Sequence, residues 1–364
     1  MNIAFYGSSL LSSYWNGAAT YYRGLLKNLF DLGHSVTFYE PDAYQRQDHR
    51  DMEPPDWAQV VVWPATPEGL RHVLTRAGDA DVVIKASGVG VFDDELLRGV
   101  LAAARPQALR IYWDVDAPAT LADMRATPDH PLRSALPSFD MVLTYGGGDP
   151  VVRAYEKLGA RFCAPVYNAL DPDTHFPVPA EPRFACDLAF LGNRLPDREH
   201  RVETFFLAPA RRMREKTFLL GGNGWGDHAT PPNVRRTGHV FTRDHNALNS
   251  SAGAVLNIAR DSMAANGFSP ATRVFEAAGA DACLITDAWE GIDMFLAPGR
   301  DILVARDGAD VEAILAELTP AQARAMGEAA GARIRREHTY AQRAAQVDVL
   351  LRRAAEMKRE KAAS

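Results

Sequence analysis

The chain holds little cysteine, and what it lacks sets the first limits on what it can be. Cys163, Cys186 and Cys283 show no C-x-x-C spacing and lie in or beside apolar, strand-like runs. That excludes a disulfide framework and makes small buried side chains the expected role, ahead of metal or redox chemistry. No apolar run reaches the roughly 18 residues that a membrane-spanning helix needs. The opening MNIAFYGSS reads as a strand without a basic leader, so a cytoplasmic protein is expected, with peripheral membrane contact left open. Basic residues are not in excess: 40 Lys+Arg stand against 46 Asp+Glu, a net charge of -6, which argues against a broad nucleic-acid surface. No repeat of roughly 20 to 50 residues marks a solenoid. The loop after the first strand has no G-x-G-x-x-G, so it does not support a nicotinamide site.

What is present is alternation. With 364 residues, 47% of them hydrophobic and 24% charged, the chain exceeds one ordinary core, and two domains are expected. Short apolar runs at residues 3–6, 36–39, 82–86, 109–113, 141–144 and 162–166 read as strands, with helices at 21–32, 68–77, 93–104 and 150–158. Such alternation gives right-handed crossovers and a parallel sheet. A Pro-rich stretch, 167–184, follows, and strands resume at 187–191, 218–221, 254–257, 283–286 and 302–304. The tail from Pro320 reads as helix broken near His338 and Thr339.

The segment 269–304, SPATRVFEAAGADACLITDAWEGIDMFLAPGRDILVA, is the most informative. Ser269 and Thr272 can cap a helix carrying Arg273 and Glu276, and Gly279 can end it. The free N–H groups at such a start favour an anion. A diphosphate there leaves Glu276 about one turn deeper, where its two oxygens can accept from a ribose diol. On the residues alone, Arg273 and Glu276, three apart, fit a surface ion pair equally well.

The order of segments resembles the GT-B glycosyltransferases, and more narrowly the CgeB-like proteins, over nearly the whole chain. In APVYNALDPDTHFP, Asn168 and Asp171 stand where the family's interdomain stretch has its Asn and Asp. DLAFLGNRLPDREHRVE resembles the first strand and turn of the donor domain, with Gly192, Asn193, Arg194 and Arg198 placed to meet a diphosphate. Gly238, His239 and Val240 resemble the turn beside the nucleobase, and RVFEAAG the helix whose glutamate, here Glu276, holds the ribose, with Arg273 beside it. The resemblance implies an α/β GT-B fold: two Rossmann-like doubly wound domains facing a cleft, with a helical tail crossing back to the first. Its boundaries are 1–170 for the acceptor domain, 171–184 for a hinge, 185–338 for the donor domain and 339–364 for the returning helix. It implies transfer of a sugar from a nucleoside-diphosphate sugar, of UDP type, to a small-molecule, glycan or protein acceptor. No cofactor and no metal are required in that reading, nucleic acid is not a partner, and domain closure limits donor hydrolysis. An epimerase or hydrolase on the same fold and a non-catalytic binding protein stand as alternatives. One departure matters: eight positions before Glu276, where many retaining members carry a first glutamate, this chain has Phe268, so the stereochemical outcome does not carry over. Asn266, Gly267 and Phe268 are the donor-sugar candidates, though an ordinary turn explains them as well.

Other motifs have competing readings. Asp114 and Asp116 in IYWDVDAP follow a parallel strand at the edge where open α/β sheets bind ligands. One of them could serve as general base; capping of the next segment and pairing with Arg110 or Arg125 is the preferred alternative. In GGGDP, 146–150, Asp149 as N-cap with Pro150 first in the helix explains the glycines. The loop with Tyr14, Trp15, Asn16 and Gly17 suits stacking and hydrogen bonding to a sugar-like acceptor. Residues 221–227, GGNGWGD, either line the nucleotide site or form a plain turn. His130, His175 and His239 lack ligand spacing, so surface or capping roles are expected.

Overall fold

The computed structural model describes residues 1–14 and 16–363, and the chain divides into two compact units, 1–167 with 340–364, and 168–339. In the first, β1 (Asn2–Tyr6), β2 (Ser35–Asp42), β3 (Gln59–Pro64), β4 (Val82–Ala86), β5 (Leu109–Asp114), β6 (Met141–Thr144) and β7 (Cys163–Pro165) form one sheet in the order β3-β2-β1-β4-β5-β6-β7. Each of these neighbouring strands pairs parallel. The crossovers carry α1 (Ala19–Asp31), α2 (Pro67–Thr75), α3 (Asp93–Ala103), α4 (Ala117–Ala126), α5 (Pro131–Ala135) and α6 (Gly148–Lys157). Central strands such as β4, VVIKA, are buried at every position, because helices cover both faces of a parallel sheet.

The second unit has a parallel sheet of β8 (Cys186–Leu191), β9 (Phe218–Gly221), β10 (Val234–Gly238), β11 (Ala252–Asn257), β12 (Leu284–Asp287) and β13 (Leu303–Ala305), ordered β10-β9-β8-β11-β12-β13. Its helices are α7 (Glu199–Val202), α8 (Ala208–Arg212), α9 (Thr242–Ser251), α10 (Asp261–Asn266), α11 (Thr272–Gly279), α12 (Gly308–Glu317) and α13 (Pro320–Glu337), with a π-helical turn at Glu203–Leu207 joining the first two. Both sheets reverse direction beside their first strand, and that reversal opens a crevice at the carboxyl ends of the strands. The sequence reading misses β3 and β10, and both are edge strands. In β10 only Val234 is buried, so no apolar run marks it.

The last helix, α14 (Tyr340–Ala363), belongs to the first unit. It lies on α1, where a Cβ on Gly24 would come within 2.2 Å of the Tyr340 ring. His34 Nε2 meets Asp348 at 2.8 Å, and Lys358 Nζ reaches both Asp140 and the Ala108 carbonyl at 2.7 Å. Three local expectations need correction. α11 has Ala271 at its N-cap with no side-chain cap, and Ser269 Oγ is buried without a hydrogen-bond partner. α6 starts at Gly148 after Gly147 in the left-handed region, so Asp149 lies inside the first turn and pairs with Arg153 at 3.6 Å. The Pro-rich stretch read as a hinge is tied to the second unit: the amides of Phe176, Val178 and Glu181 donate to Asn246, Ser250 and Ser251.

Gly24→Ala should destabilise the protein by about 1–3 kcal/mol, the usual cost of overpacking, read from a lowered urea midpoint. Gly24→Ala with Tyr340→Ala should lose less than the sum of the single variants, because the shorter side chain relieves the clash. Acid sensitivity should trace to Asp301, whose side chain is 1% exposed between Arg300 and Arg333. Arg300, against desolvation but with the Ala297 amide and Arg333, holds its carboxyl down at about 2 from the ordinary 3.8. A depressed carboxylate stabilises the fold above its unfolded value and loses that contribution as pH falls through the folded one. Stability should therefore drop between about pH 4 and pH 2, and Asp301→Asn should flatten that part of the stability-versus-pH curve.

Candidate functional site

The turns after β8, β9 and β10 meet at the carboxyl edge of the second sheet. Gly192 follows β8 and its N–H donates to the Gly221 carbonyl at 2.9 Å, while its own carbonyl accepts from Trp225 Nε1 at 2.8 Å. A Cβ there would stand 2.8 Å from Arg198 Nη2, so glycine lets the guanidinium lie against the strand end. Gly222, at φ +119, would place a Cβ 2.2 Å from the Gly192 carbonyl. Gly222 needs glycine for its positive φ and its close backbone approach, whereas at Gly192 the near atoms are side chains. Residues 221–227 are therefore a packed support for the β8 turn, with Trp225 only 3% exposed. Asn193 Oδ1 accepts from the Asn223 amide at 2.9 Å, and its carbonyl accepts from Arg198 Nη2 at 2.6 Å.

The two predicted arginines have different fates. Arg194 is spent on Glu199 at 2.7 Å and Asp227 at 3.2 Å, which locks the loop. Arg198 lies over the Phe190 ring at 5.6 Å with its Nε buried and without a hydrogen-bond partner. Burial lowers its basicity; Asp197 opposes this, and Arg260 and Arg273 add to it. Arg198 and Arg273 thus sit within electrostatic reach of each other. Arg273 also has its Nε and Nη1 buried without a hydrogen-bond partner. Buried cationic donors with nothing to bond to are costly, and an anion at the uncapped start of α11 satisfies them.

Glu276 stands on α11 with its side chain 12% exposed, Arg273 Nη1 at 3.5 Å from Oε2 and His175 Nε2 at 3.9 Å from Oε1. It is no surface pair. Desolvation pushes its carboxyl up, and His175, Arg273 and His245 together bring it below the usual glutamate range. His175 is 4% exposed, so its expected surface role is wrong: the turn from Asp171 packs it against α9 and α11. His245, which the sequence reading did not single out, completes the group, and burial, followed by Arg273, drops it to about 4. A histidine on the same helix as Asn246 and Asn249 carries no linear signal. His130, by contrast, does cap α5, accepting from the Leu132 amide at 3.2 Å.

Gly238 ends β10 at φ +66, and its carbonyl accepts from the Gly222 amide at 2.7 Å. His239 meets the exposed Phe241 edge-on at 4.6 Å, and Val240 is buried beneath. Phe241, 56% exposed, offers an aromatic face that the sequence reading did not name. Asn266 ends α10 and donates to the Gly267 carbonyl at 3.3 Å. Gly267 and Phe268 both have positive φ, and Phe268 N donates to the Glu290 carbonyl at 2.6 Å. A phenylalanine at φ +47 is a strained conformer, of the kind that gathers at functional turns. Asn168 is fully buried and donates to the Pro270 carbonyl at 3.2 Å. Asp287 ends β12 fully buried, accepting from the Ala259 amide and Arg201.

In the first unit Asp114 is 0% exposed. Its carboxylate accepts from Ser87 at 2.8 Å, the Asp116 amide and Thr120 at 3.0 Å, and Tyr155. Burial raises its pKa against those four donors. It is an anchor between β4, β5 and α6 with no room for an acceptor hydroxyl, so the catalytic expectation for Asp114 is corrected. Asp116 begins α4 and lines a cavity of about 510 Å³ with Lys85, Ser87, Asp93 and Thr120 at the carboxyl ends of β4 and β5. Of the loop candidates, Asn16 is 7% exposed and wholly engaged by Ser8, Ser9 and Ser12. It holds the loop and has no amide atom left for an acceptor. Tyr14 stacks on His49 at 4.0 Å, Gly17 is open, and Trp15 lies outside the described residues.

Residues 198–348 match the family model described as glycosyl transferase-like. No curated protein sequence matches the chain. Solved structures do. Sucrose-phosphate synthase from Thermosynechococcus elongatus superposes with a TM-score of 0.70 at 13% identity, over 97% of this chain and 98% of that one. Anabaena HepE in complex with UDP-glucose gives 0.65 at 13% identity over 96% and 99%. An alpha-glucosyltransferase in complex with UDP-glucose and DNA containing an abasic site gives 0.71 at 10% identity over 96% and 98%. The chain has the GT-B fold. Among the described residues no helix is long and apolar enough to cross a membrane.

Asp114→Ala strips a partner from four donors around a buried carboxylate. At about 1–3 kcal/mol for each buried group left unsatisfied, the first unit should lose roughly 3 kcal/mol or more, measured by denaturant unfolding. A loss below about 1 kcal/mol would remove its role as an anchor.

Proposed function

We propose that the protein is a glycosyltransferase, a CgeB-like member of the GT-B enzymes, that takes a hexosyl group from a UDP-type donor and needs no metal to do so. The observation that carries the reading is the buried guanidinium nitrogens of Arg198 and Arg273 that have no acceptor, with the carboxylate of Glu276, held below the usual glutamate range, beside Arg273. A diphosphate supplies acceptors to the arginines, and a ribose diol supplies two donors to Glu276. The base lies toward Gly238, His239 and Val240, where Phe241 offers a stacking face. HepE and the alpha-glucosyltransferase, structural neighbours of this chain, are both described with UDP-glucose.

In the reaction the anomeric C–O bond to the diphosphate breaks and a C–O bond to the acceptor forms. Negative charge grows on the leaving diphosphate, and Arg198, Arg273 and the α11 N–H groups stabilise it. The acceptor proton passes to a base, which we assign to Asp116 on the first unit. The acceptor is a small molecule, a glycan or a protein; the net charge of -6 disfavours a nucleic acid, and the site of action is the cytoplasm.

In a thermal-shift panel of nucleoside diphosphates with EDTA present, UDP should raise the midpoint, because a ligand bound only by the native state stabilises it. Glu276→Gln should weaken UDP at least about tenfold, since charge-assisted bonds contribute roughly 1.5–3 kcal/mol each. The same variant should bind a 2′,3′-dideoxy analogue as the parent does. Equal affinities in all four combinations, in variants folded by circular dichroism, would sink the ribose assignment. Asp116→Asn should leave UDP affinity unchanged and cut transfer by about 10² or more, read as released UDP.

A further inference from the structure

We propose that His175, His245 and Glu276 form a binding site for a zinc-class divalent cation, and that cation and donor nucleotide exclude each other there. The three side chains come from separate pieces of the second unit: the turn from Asp171, α9 and α11. One ligand atom from each lies within 4.8 Å of the other two. Tetrahedral ligands about 2.0–2.1 Å from zinc stand roughly 3.3 Å apart, so modest side-chain rotations close the site.

Each imidazole keeps one buried ring nitrogen without a hydrogen-bond partner. The Thr174 hydroxyl donates its one proton to the Asp171 carbonyl at 3.1 Å, so at 3.0 Å it accepts from His175 Nδ1–H. The lone pair is therefore on His175 Nε2, which is buried, has no hydrogen-bond partner and points at Glu276 Oε1. His245 has its Nδ1 buried with no hydrogen-bond partner. Two neutral imidazoles and one carboxylate, with a fourth position open, suit zinc and not magnesium. Arg273 faces the other carboxylate oxygen, Oε2, where an outer partner orients a ligating carboxylate. Its charge opposes the cation, which keeps the expected dissociation constant roughly micromolar.

Binding of the cation stands on these three residues alone. Its competition with nucleotide rests on the reading that gives Glu276 to the ribose. Coupling between two ligands is reciprocal, so zinc must weaken UDP by the factor by which UDP weakens zinc.

The full-length protein, stripped by a chelator, should take up one equivalent of zinc from a chromophoric chelator and none of magnesium. Cobalt in its place should give the visible band of a four- or five-coordinate ion. His245→Gln and Glu276→Gln should each weaken zinc at least about tenfold, and saturating UDP should do the same in the parent. No zinc uptake by the parent, or unchanged uptake in both folded variants, overturns the site. Should a variant fail to fold, the cobalt spectrum of the parent decides, and a six-coordinate spectrum overturns it. Zinc uptake indifferent to UDP overturns the exclusion. Failure of zinc with Glu276→Gln still defective for UDP removes this proposal and keeps the donor reading; zinc uptake without UDP binding does the reverse.

Discussion

The guanidinium nitrogens of Arg198 and Arg273 that are buried without hydrogen-bond partners are the constraint that the carboxyl edge of the second sheet has to meet. Like charges in a desolvated place repel, and the fold tolerates them only because neighbours are aimed at them. Glu276 faces Arg273 from one side, Asp197 acts on Arg198 from another, and the Phe190 ring lies under Arg198. Gly222 serves the same edge, since a side chain there would run into the backbone of Gly192 and Asn193, and Gly192 leaves room for the Arg198 guanidinium. Uncapped α11 adds the partial positive charge of its first turn. The two arginines and the first turn of α11 favour a bound anion, while Glu276 with His175 and His245 makes the acceptor-rich part of the same edge.

The first unit treats charge in the opposite way. Its buried carboxylates are saturated by the protein's own donors. Asp114 accepts four, and Glu40, also fully buried, takes the amides of Leu10 and Leu11 with Gln47. Lys85 is closed off by Asp93 at 2.5 Å. Such groups fix loops and strand ends and are expensive to disturb. Asp116, two residues beyond Asp114, stays partly exposed on the wall of a cavity. Environment, not residue type, separates the anchor from the candidate base.

Much of the architecture was legible because parallel strands buried on both faces write themselves as apolar runs. That held for β1, β4, β5, β6 and β9, and the break at His338 and Thr339 between α13 and α14 was readable from His and Thr interrupting a helical pattern. It failed for β3 and β10, which lie at sheet edges and bury little. Helix starts were misplaced by a residue or more, since Ser269 and Asp149 looked like caps by type but are not in capping position. The Pro-rich stretch reads as a hinge because proline and aspartate are turn residues. Its backbone donors are in fact spent on side chains of α9 and its approach.

By itself the sequence determined the order of strands and helices, the break before the last helix and the place of Glu276 on a short helix between two strands, since periodicity and punctuation are local properties of the chain. Only the tertiary structure decided what the charged residues do. Arg194 and Arg198 are four apart in sequence, yet one is paired with Glu199 and Asp227 and the other keeps a buried Nε unbonded. His175, His245 and Glu276 are separated by 70 and 31 positions and come together because the turn from Asp171 packs on α9 and α11. Solvation, partner distance and like-charge proximity set the chemistry of an ionisable group, and none of them exists until the chain has folded.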